Sequence, residues 1–435
     1  MKKNEIITKE NKFLKEKYYY IKHDSGLDIY VFPKDFTNSY AVFGTKYGSI
    51  DNKFRLEGDS DYTVVPDGIA HFLEHKMFEN EDGEDTFAKF ARTGASANAY
   101  TSFNMTVYLY SCTSMFYESL DILLEYVTHP YLTPENVEKE QGIIAQEIRM
   151  GEDSPGRASF FDLMQAMYEK HNVRIDIAGT VDSISKIDAD ILYKCYNTFY
   201  NLSNMALCVS GNIDPEKVIE AADRMLKKQP ELKIESVYAI EDPKVFKPYF
   251  TRKMQVSKPL FNIGVKDVVI SDDGVERMKK AAAMSIMTSA LFSRSSKFYN
   301  ELYADGLISN SFGWGSSHHQ TYSYIALDGE SKDPDEVFKR FKEYIRSMQE
   351  TGIDKAVFDR CKRALFANLV KGFDSTEDIA NNFLDYIFED ADIFEYIDIV
   401  SNIEYDYVAQ LLNDMYKEEY YALATIYPLD SDSEE

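Results

Sequence analysis

Hydrophobic positions in the first half of the chain follow strand and helix periods in turn. Residues 28–50 contain two runs in which apolar and polar residues alternate, the pattern of two strands joined by a turn. Residues 67–79 carry Ile69, Leu73 and Met77 at four-residue spacing, which predicts a helix with one apolar stripe. The same criteria predict a β-rich segment at 98–111, helices at 117–128 and 133–151, and a short buried strand at 205–210.

The second half repeats this order after a less regular stretch. Residues 227–250 place three prolines among charged residues, which is typical of a linker. Beyond it, the predicted elements are a helix near 281–303, a β run at 310–327, and helices at 334–350 and 353–372. The β run and the helix after it resemble residues 98–128 at an offset of roughly 210–220 residues. We therefore predict two structurally similar α/β halves, 1–226 and 251–435, separated by the linker.

Composition and charge exclude some functions. The 435 residues include 48 Lys and Arg against 73 Asp and Glu, a formal net charge of −25. Phosphate contacts need clustered Lys and Arg, so we expect no nucleic-acid partner. Peptides and cationic substrates are compatible with this charge. The four cysteines are widely spaced without a C-x-x-C pair, which predicts buried or half-buried thiols in a reducing compartment.

The sequence predicts neither a secretory signal nor a membrane span. Residues 1–17 lack the apolar region of a secretory signal, and the most apolar stretch, 281–292, is too short to span a bilayer. We therefore expect a soluble, cytoplasmic protein without a membrane span. The acidic segment 430–435 is predicted to be a solvated end.

The segment that indicates chemistry is His71-Phe72-Leu73-Glu74-His75. On a helix, residues four apart lie on one face about one turn apart, so His71 and His75 are spaced to bind one Zn²⁺. Glu74 lies near the same face, within reach of a water on the metal. This H-x-x-E-H pattern is the inverted form of the metalloprotease H-E-x-x-H helix. The alternative is two surface histidines with an exposed glutamate between them.

A catalytic zinc needs three protein ligands and one open position, so a third ligand should come from another element. Glu140 and Glu147 are seven residues apart, two turns, on one face of the helix predicted at 133–151. Ile143 and Ile144 beside them indicate that this face is partly buried, and buried acids require partners. Spacing alone leaves both a metal ligand and a solvated glutamate open.

Together these segments resemble the pitrilysin/insulinase family of inverted zinc metallopeptidases, whose pattern is H-x-x-E-H followed downstream by E-x6-E. The resemblance implies that His71, His75 and Glu147 ligate one Zn²⁺ per chain. It also implies that Glu74 is the general base and that Glu140 supports the site from behind the ligands.

Further segments of the first half carry the resemblance. Asn98-Ala99-Tyr100 is similar to the family's N-A-[YF] segment, an edge strand that binds the substrate backbone by β-augmentation. DIAGTVDSI at 176–184 and NMALCVSGNID at 204–214 also match family stretches. The resemblance implies an α/β (α+β) fold of two homologous halves. Each would be a mainly antiparallel β-sheet with helices on one face, and the halves would face each other across a substrate chamber.

The second half resembles the family with one departure. Residues 295–312, SSKFYNELYADGLISNSF, are similar to a family stretch that carries an Arg and a Tyr, which help to bind substrate opposite the zinc. Tyr303 and Ser309 occupy those two positions here, so neither role is assigned to a residue of this chain. Some members of the family work as pairs, with the metal motif on one chain and the Arg and Tyr on a related chain. This sequence resembles the metal-bearing member of such a pair.

The resemblance implies a zinc-dependent endopeptidase that hydrolyses peptides or unfolded segments. Basic peptides are expected to be preferred if part of the acidic excess lines the chamber. The expected partner is a related chain without the zinc motif, in a heterodimer, or a second copy, in a homodimer. The alternative function is a non-catalytic, metal-retaining structural or peptide-binding subunit of a processing complex, since this chain lacks the family's Arg and Tyr.

Overall fold

The computed structural model describes residues 5–429, so the predicted solvated end at 430–435 lies outside the described residues. Within that range, no helix is both long and apolar enough to cross a bilayer. All four cysteines are free and buried, as their spacing predicts.

Strands and helices alternate along the described chain. The strands are β1 (Ile6–Asn11), β2 (Glu16–Lys22), β3 (Asp28–Pro33), β4 (Ser39–Thr45), β5 (Lys53–Leu56), β6 (Thr63–Val64), β7 (Ser96–Thr101), β8 (Thr106–Cys112), β9 (Met205–Gly211), β10 (Ile234–Ser236), β11 (Tyr249–Met254), β12 (Leu260–Asp267), β13 (Gly313–His318), β14 (Ser323–Glu330) and β15 (Tyr421–Pro428). The helices are α1 (Ile69–Lys76), α2 (Thr86–Thr93), α3 (Phe116–Thr128), α4 (Pro134–Glu152), α5 (Pro155–Met167), α6 (Val181–Ile184), α7 (Ala189–Phe199), α8 (Pro215–Met225), α9 (Gly274–Phe292), α10 (Lys297–Ala304), α11 (Pro334–Thr351), α12 (Lys355–Gly372), α13 (Thr376–Phe388), α14 (Ile393–Asn402) and α15 (Tyr405–Met415).

The chain forms two compact units, and the first comprises the described residues of 1–148, 176–238 and 370–388. Its main sheet has seven strands in the order β1-β2-β3-β9-β4-β8-β7. Neighbouring strands are antiparallel except for β3 and β9, which are parallel. A small antiparallel sheet, β10-β5-β6, belongs to the same unit.

The central strands of this sheet are buried on both faces, since every residue of β4 and β9 is buried. Successive side chains of a strand point to opposite faces. Ala41 and Phe43 of β4 join the main core, which also contains the buried residues of α1 and α3. The alternate position Gly44 faces α13 instead: a Cβ there would lie 2.6 Å from Cδ2 of Leu384. A helix from the later part of the chain therefore covers the second face.

The second unit comprises the described residues of 149–175, 239–369 and 389–435. Its five-stranded sheet has the order β11-β15-β12-β14-β13, antiparallel except for the parallel pair β11 and β15. Helix α5 packs on β11, β12 and β15, and a Cβ at Gly264 of β12 would meet Leu163 and Met167 of that helix. Helix α5 precedes most of this unit in the chain, just as α13 follows most of the first.

The predicted α/β fold of two mainly antiparallel units with packed helices is confirmed. The expectation that helices lie on one face of each sheet is wrong for the first unit, because its central strands are buried on both faces and α13 covers the second one. The predicted boundaries of the two similar halves, 1–226 and 251–435, and of the linker, 227–250, stay a prediction. The compact units divide the chain differently, because α5 and α13 each belong to the unit that the repeat would not assign to them. Hydrophobic periodicity identifies the apolar side of a helix but does not tell which sheet that side covers.

The predicted β-rich segment contains two strands, and one predicted helix is two helices in the structure. Residues 98–111 fall in β7 and β8, which are joined by a turn at 102–105. The predicted helix near 281–303 is divided into α9 and α10, because Ser296 begins a new helix by accepting a hydrogen bond from the backbone N–H of Tyr299.

The predicted linker is held by specific contacts. The carboxylate of Glu241 accepts hydrogen bonds from three successive backbone N–H groups, those of residues 169–171, with N···O distances of 3.2 Å for Glu169 and 2.6 Å for His171. The buried Lys266 also donates to it at 3.0 Å. A carboxylate held by backbone N–H groups and an ammonium is a strong contact, so this part of the linker is anchored in the second unit.

The packing of α13 can be tested at Leu384, whose side chain is fully buried. Leu384→Ala should lower the free energy of unfolding by roughly 2–5 kcal/mol, because it leaves a cavity against the sheet. Leu429→Ala is the matched control: this leucine is 53% exposed, and its loss should change stability by less than about 0.5 kcal/mol. Denaturant unfolding measures both variants. Equal, small effects would contradict the assignment of α13 as the cover of β4.

Candidate metal centre

Helix α1 presents the H-x-x-E-H motif because its start is fixed by a close backbone contact. Gly68 precedes the helix with φ +88°, a left-handed conformation that favours glycine. A Cβ at Gly68 would lie 2.3 Å from the carbonyl oxygen of Ala178, so only glycine allows this approach. Ser183 also donates a hydrogen bond to the carbonyl of Asp67 at 2.8 Å. The segment 176–184 therefore sets where α1 begins.

The apolar side of α1 faces the core and leaves the two histidines of the motif partly exposed. Ile69, Phe72 and Leu73 are almost fully buried. The side chains of His71 and His75 keep 12% and 27% of their surface exposed.

Helix α4 brings the two glutamates to the same place. Thr133 and Asn136 bond reciprocally at its start: the Asn136 N–H donates to the Thr133 hydroxyl, and the Thr133 N–H donates to the Asn136 side chain. This is a capping box with Asn in the usual Glu position, so the predicted helix start is confirmed. Glu140 is buried, whereas the Glu147 side chain is 46% exposed. Ile143, expected to help bury this face, is itself 46% exposed.

The three predicted ligands converge. The Nε2 atom of His71 lies 3.5 Å from Oε1 of Glu147, and Nε2 of His75 lies 3.5 Å from Oε2 of the same carboxylate. One ligand atom from each residue lies within 4.8 Å of the other two. A tetrahedral zinc with bonds of about 2.0–2.1 Å separates its ligand atoms by roughly 3.4 Å, so this donor set fits the ion. Among residues 5–429, no other group of His, Cys, Asp or Glu side chains brings three such ligand atoms this close together.

Glu140 supports His75 from the side away from the other ligands. The Nδ1–H of His75 donates to Oε1 of Glu140 at 3.1 Å, which directs Nε2 towards Glu147. Burial lowers the pKa of His75, but the Glu140 hydrogen bond and the charges of the nearby glutamates outweigh it, so the pKa is raised. Burial raises the pKa of Glu140, and the contacts with His75 and Lys76 outweigh it, so that pKa is lowered. Both shifts favour the ionised pair.

The predicted base, Glu74, is positioned by a residue that sequence analysis missed. Glu74 is 8% exposed, and its Oε2 accepts a hydrogen bond of 2.8 Å from the hydroxyl of Thr101. Thr101 is the last residue of β7, next to the N-A-Y segment. A hydroxyl next to the N-A-Y segment could have marked Thr101 as a site residue. Its hydrogen bond to Glu74, however, depends on how α1 packs beside β7, which the sequence does not show.

The three residues predicted to bind substrate lie on β7. This strand is at the end of the seven-stranded sheet, and β8 is its one partner among the described strands. Asn98 and Tyr100 are exposed, and Ala99 is half-buried between them. The strand therefore offers one edge of its backbone, as β-augmentation requires, and the substrate-binding role of Asn98, Ala99 and Tyr100 stays a prediction.

Tyr303 and Ser309 belong to the second unit. Tyr303 lies on α10, is 48% exposed and stacks on Tyr299 with 5.7 Å between ring centroids. Ser309 follows the helix, and its hydroxyl hydrogen-bonds that of Ser311 at 2.8 Å. Position 303 therefore has no guanidinium, and position 309 has no phenol.

The two-unit α/β fold and the inverted zinc motif define a class of protein, the zinc peptidases of the insulinase type. Two family models match the chain: "Insulinase (Peptidase family M16)" over residues 63–181 and "Peptidase M16 inactive domain" over residues 186–365. YmfH of Bacillus subtilis, described as an uncharacterized zinc protease, is 40% identical over 407 residues, 92% of this chain and 94% of the relative. The chain belongs to peptidase family M16, so the family prediction is confirmed.

Solved structures agree with this assignment. An M16-like peptidase from Alicyclobacillus acidocaldarius has a TM-score of 0.92 and 32% identity, and the match covers 97% of this chain and 100% of that one. Pitrilysin has a TM-score of 0.71 and 15% identity, over 98% of this chain and 46% of pitrilysin. At 15% identity, the likeness to pitrilysin concerns the fold alone. This chain spans about half the length of pitrilysin.

The turn before α1 can be tested at Gly68. Gly68→Ala should destabilise the protein by on the order of 1–3 kcal/mol and lower its zinc affinity, because a Cβ forces the helix start away from Ala178. Gly142→Ala is the matched control, since this exposed helical glycine has open space around it and should gain up to about 1 kcal/mol. Thermal unfolding and zinc titration check both. Unchanged zinc affinity in a folded Gly68→Ala protein would show that this turn does not position the ligands.

Proposed function

We propose that this chain is a zinc-dependent endopeptidase that hydrolyses peptides or unfolded segments. The observation that carries the proposal is the meeting of both imidazoles of α1 with the Glu147 carboxylate of α4 at 3.5 Å each. His71, His75 and Glu147 would hold the ion, which leaves a tetrahedral zinc one open position. When bound there, zinc supplies a Lewis acid that polarises a carbonyl and lowers the pKa of water towards 7.

Glu74 would act as the general base. It follows His71 by three residues, and so lies near the face that carries the ligands. Thr101 holds its Oε2, and the remaining oxygen, Oε1, can receive the proton of the attacking water and return it to the leaving amine. The Thr101 hydrogen bond restricts the rotation of the carboxylate, so the base is oriented before substrate arrives.

The substrate would lie extended along the open edge of β7. An added strand takes its affinity from backbone hydrogen bonds, which are the same for every sequence, so peptides and unfolded segments are suitable and folded proteins are not. Asn98, Ala99 and Tyr100 are the residues proposed to line it. With a net charge of −25 on the chain, basic peptides should be captured faster at low ionic strength.

Glu74→Gln is the test of the mechanism. It should keep about one zinc per chain and lower peptide cleavage by at least about 100-fold, because the amide cannot accept the proton. Glu147→Gln should lose zinc and activity together, since it removes a ligand. Glu138→Gln, an exposed position of the same helix, is the matched control and should retain both. Metal analysis and cleavage of a quenched fluorescent peptide measure these outcomes; full activity of Glu74→Gln would exclude Glu74 as the base.

We further propose that the chain acts with a partner, because the family's Arg and Tyr positions hold Tyr303 and Ser309. A related chain without the zinc motif would supply the missing groups in a heterodimer; a second copy would form a homodimer. The same observation favours the second candidate function, a metal-retaining structural or peptide-binding subunit without turnover.

Mixing experiments separate these possibilities. We expect the purified chain to cleave a peptide panel slowly, and a related chain that carries the Arg and Tyr to raise the rate at least about 10-fold. Glu74→Gln in the mixture is the control and should abolish the gain. Zinc bound at one ion per chain, with no cleavage alone or in any mixture, would instead support the non-catalytic subunit.

A further inference from the structure

Lys76, the last residue of α1, has an unusual position for a lysine: its side chain is fully buried. Lysine is among the residues that are rarely buried unless they are paired. The ammonium donates to the carbonyl oxygen of Asn136 at 3.1 Å and lies 2.9 Å from Oε2 of Glu79. It also lies 3.8 Å from Oε2 of Glu140. Two of these three partners are in α4, the helix that carries the third predicted ligand.

The Glu140 carboxylate therefore lies between Lys76 and His75. Its Oε1 receives the His75 Nδ1–H at 3.1 Å, and its Oε2 faces the Lys76 ammonium. A carboxylate with a partner at each oxygen cannot rotate without losing one of them. The lysine thus favours the orientation in which Glu140 accepts from His75, and that hydrogen bond in turn directs the His75 Nε2 towards Glu147.

The geometry points to Lys76 as a positioning residue of the metal centre. We propose that its ammonium orients Glu140, and that through Glu140 it raises the affinity of the His71–His75–Glu147 site for zinc. The inference rests on the proposed function only in that the site binds zinc; it does not depend on peptide cleavage. A purely structural lysine would neutralise Glu79 and Glu140 and would have no specific effect on the metal.

Lys76→Met tests the proposal, because methionine is unbranched and apolar and suits a buried site. We expect Zn²⁺ affinity, measured by competition with a chromophoric chelator, to fall about 10-fold, within the range found for residues behind metal ligands. Lys266→Met is the matched control: Lys266 is a buried, glutamate-paired lysine of the second unit, and its loss should leave zinc affinity unchanged. If Lys76→Met yields no folded protein, Lys76→Gln takes its place with the same expectation.

A double-mutant cycle tests the route through Glu140. Glu140→Gln should weaken zinc binding about 10–100-fold, and Lys76→Met added to it should weaken binding less than about 2-fold further, because the group it orients is already lost. Glu79→Gln leaves Lys76 beside Glu140 and should not weaken zinc binding.

Several results would overturn the inference: unchanged zinc affinity in Lys76→Met, an equal loss in Lys266→Met, or fully additive losses in the double mutant. Failure of the wild-type chain to bind zinc would instead overturn the proposed function. Thermal unfolding of the zinc-free variants separates a loss of fold from a loss of affinity.

Discussion

The contact between α1 and α4 is the interaction on which the candidate metal centre depends. One helix carries both imidazoles and the other carries both glutamates, so neither contains a three-ligand site. The His75–Glu140 hydrogen bond and the buried Lys76 join the helices at the required distance. The Lys76 ammonium and the Glu140 carboxylate are both buried. A buried ion pair is stable only when its geometry is good and further hydrogen bonds satisfy its polar atoms. The Asn136 carbonyl supplies one of those bonds.

A second constraint acts on the sheets. The central strands β4, β9 and β12 are buried on both faces, so each sheet needs helices on both sides. Helix α13 covers one face of the sheet in the first unit, and α5 covers one face of the sheet in the second. The repeat in the sequence would instead place α13 in the second half and α5 in the first. Chain order and packing therefore divide this protein differently, and each unit needs a segment distant in sequence to complete its core.

How much of the candidate site the sequence predicts depends on how far apart its residues lie in the chain. His71, Glu74 and His75 lie within two turns of one helix, so spacing is enough to place them on neighbouring faces. The pairing of His71 and His75 with Glu147 follows from the family pattern rather than from periodicity. Thr101 and Lys76 were missed for a physical reason. A threonine at a strand end and a lysine at a helix C-terminus are ordinary surface residues until tertiary packing buries them.

The sequence by itself determined most of the local elements, the two α/β parts and the family, because these depend on short-range spacing or on continuous motifs. It also proposed the zinc ligands: helical spacing indicates His71 and His75, and the family pattern indicates Glu147. Tertiary structure alone decided which sheet each of α5 and α13 covers, that Glu140 is buried while Glu147 is open to solvent, and that Thr101 and Lys76 contact the site residues. Each of these depends on which surfaces meet, and contacts between elements tens of residues apart leave no periodic trace in the chain.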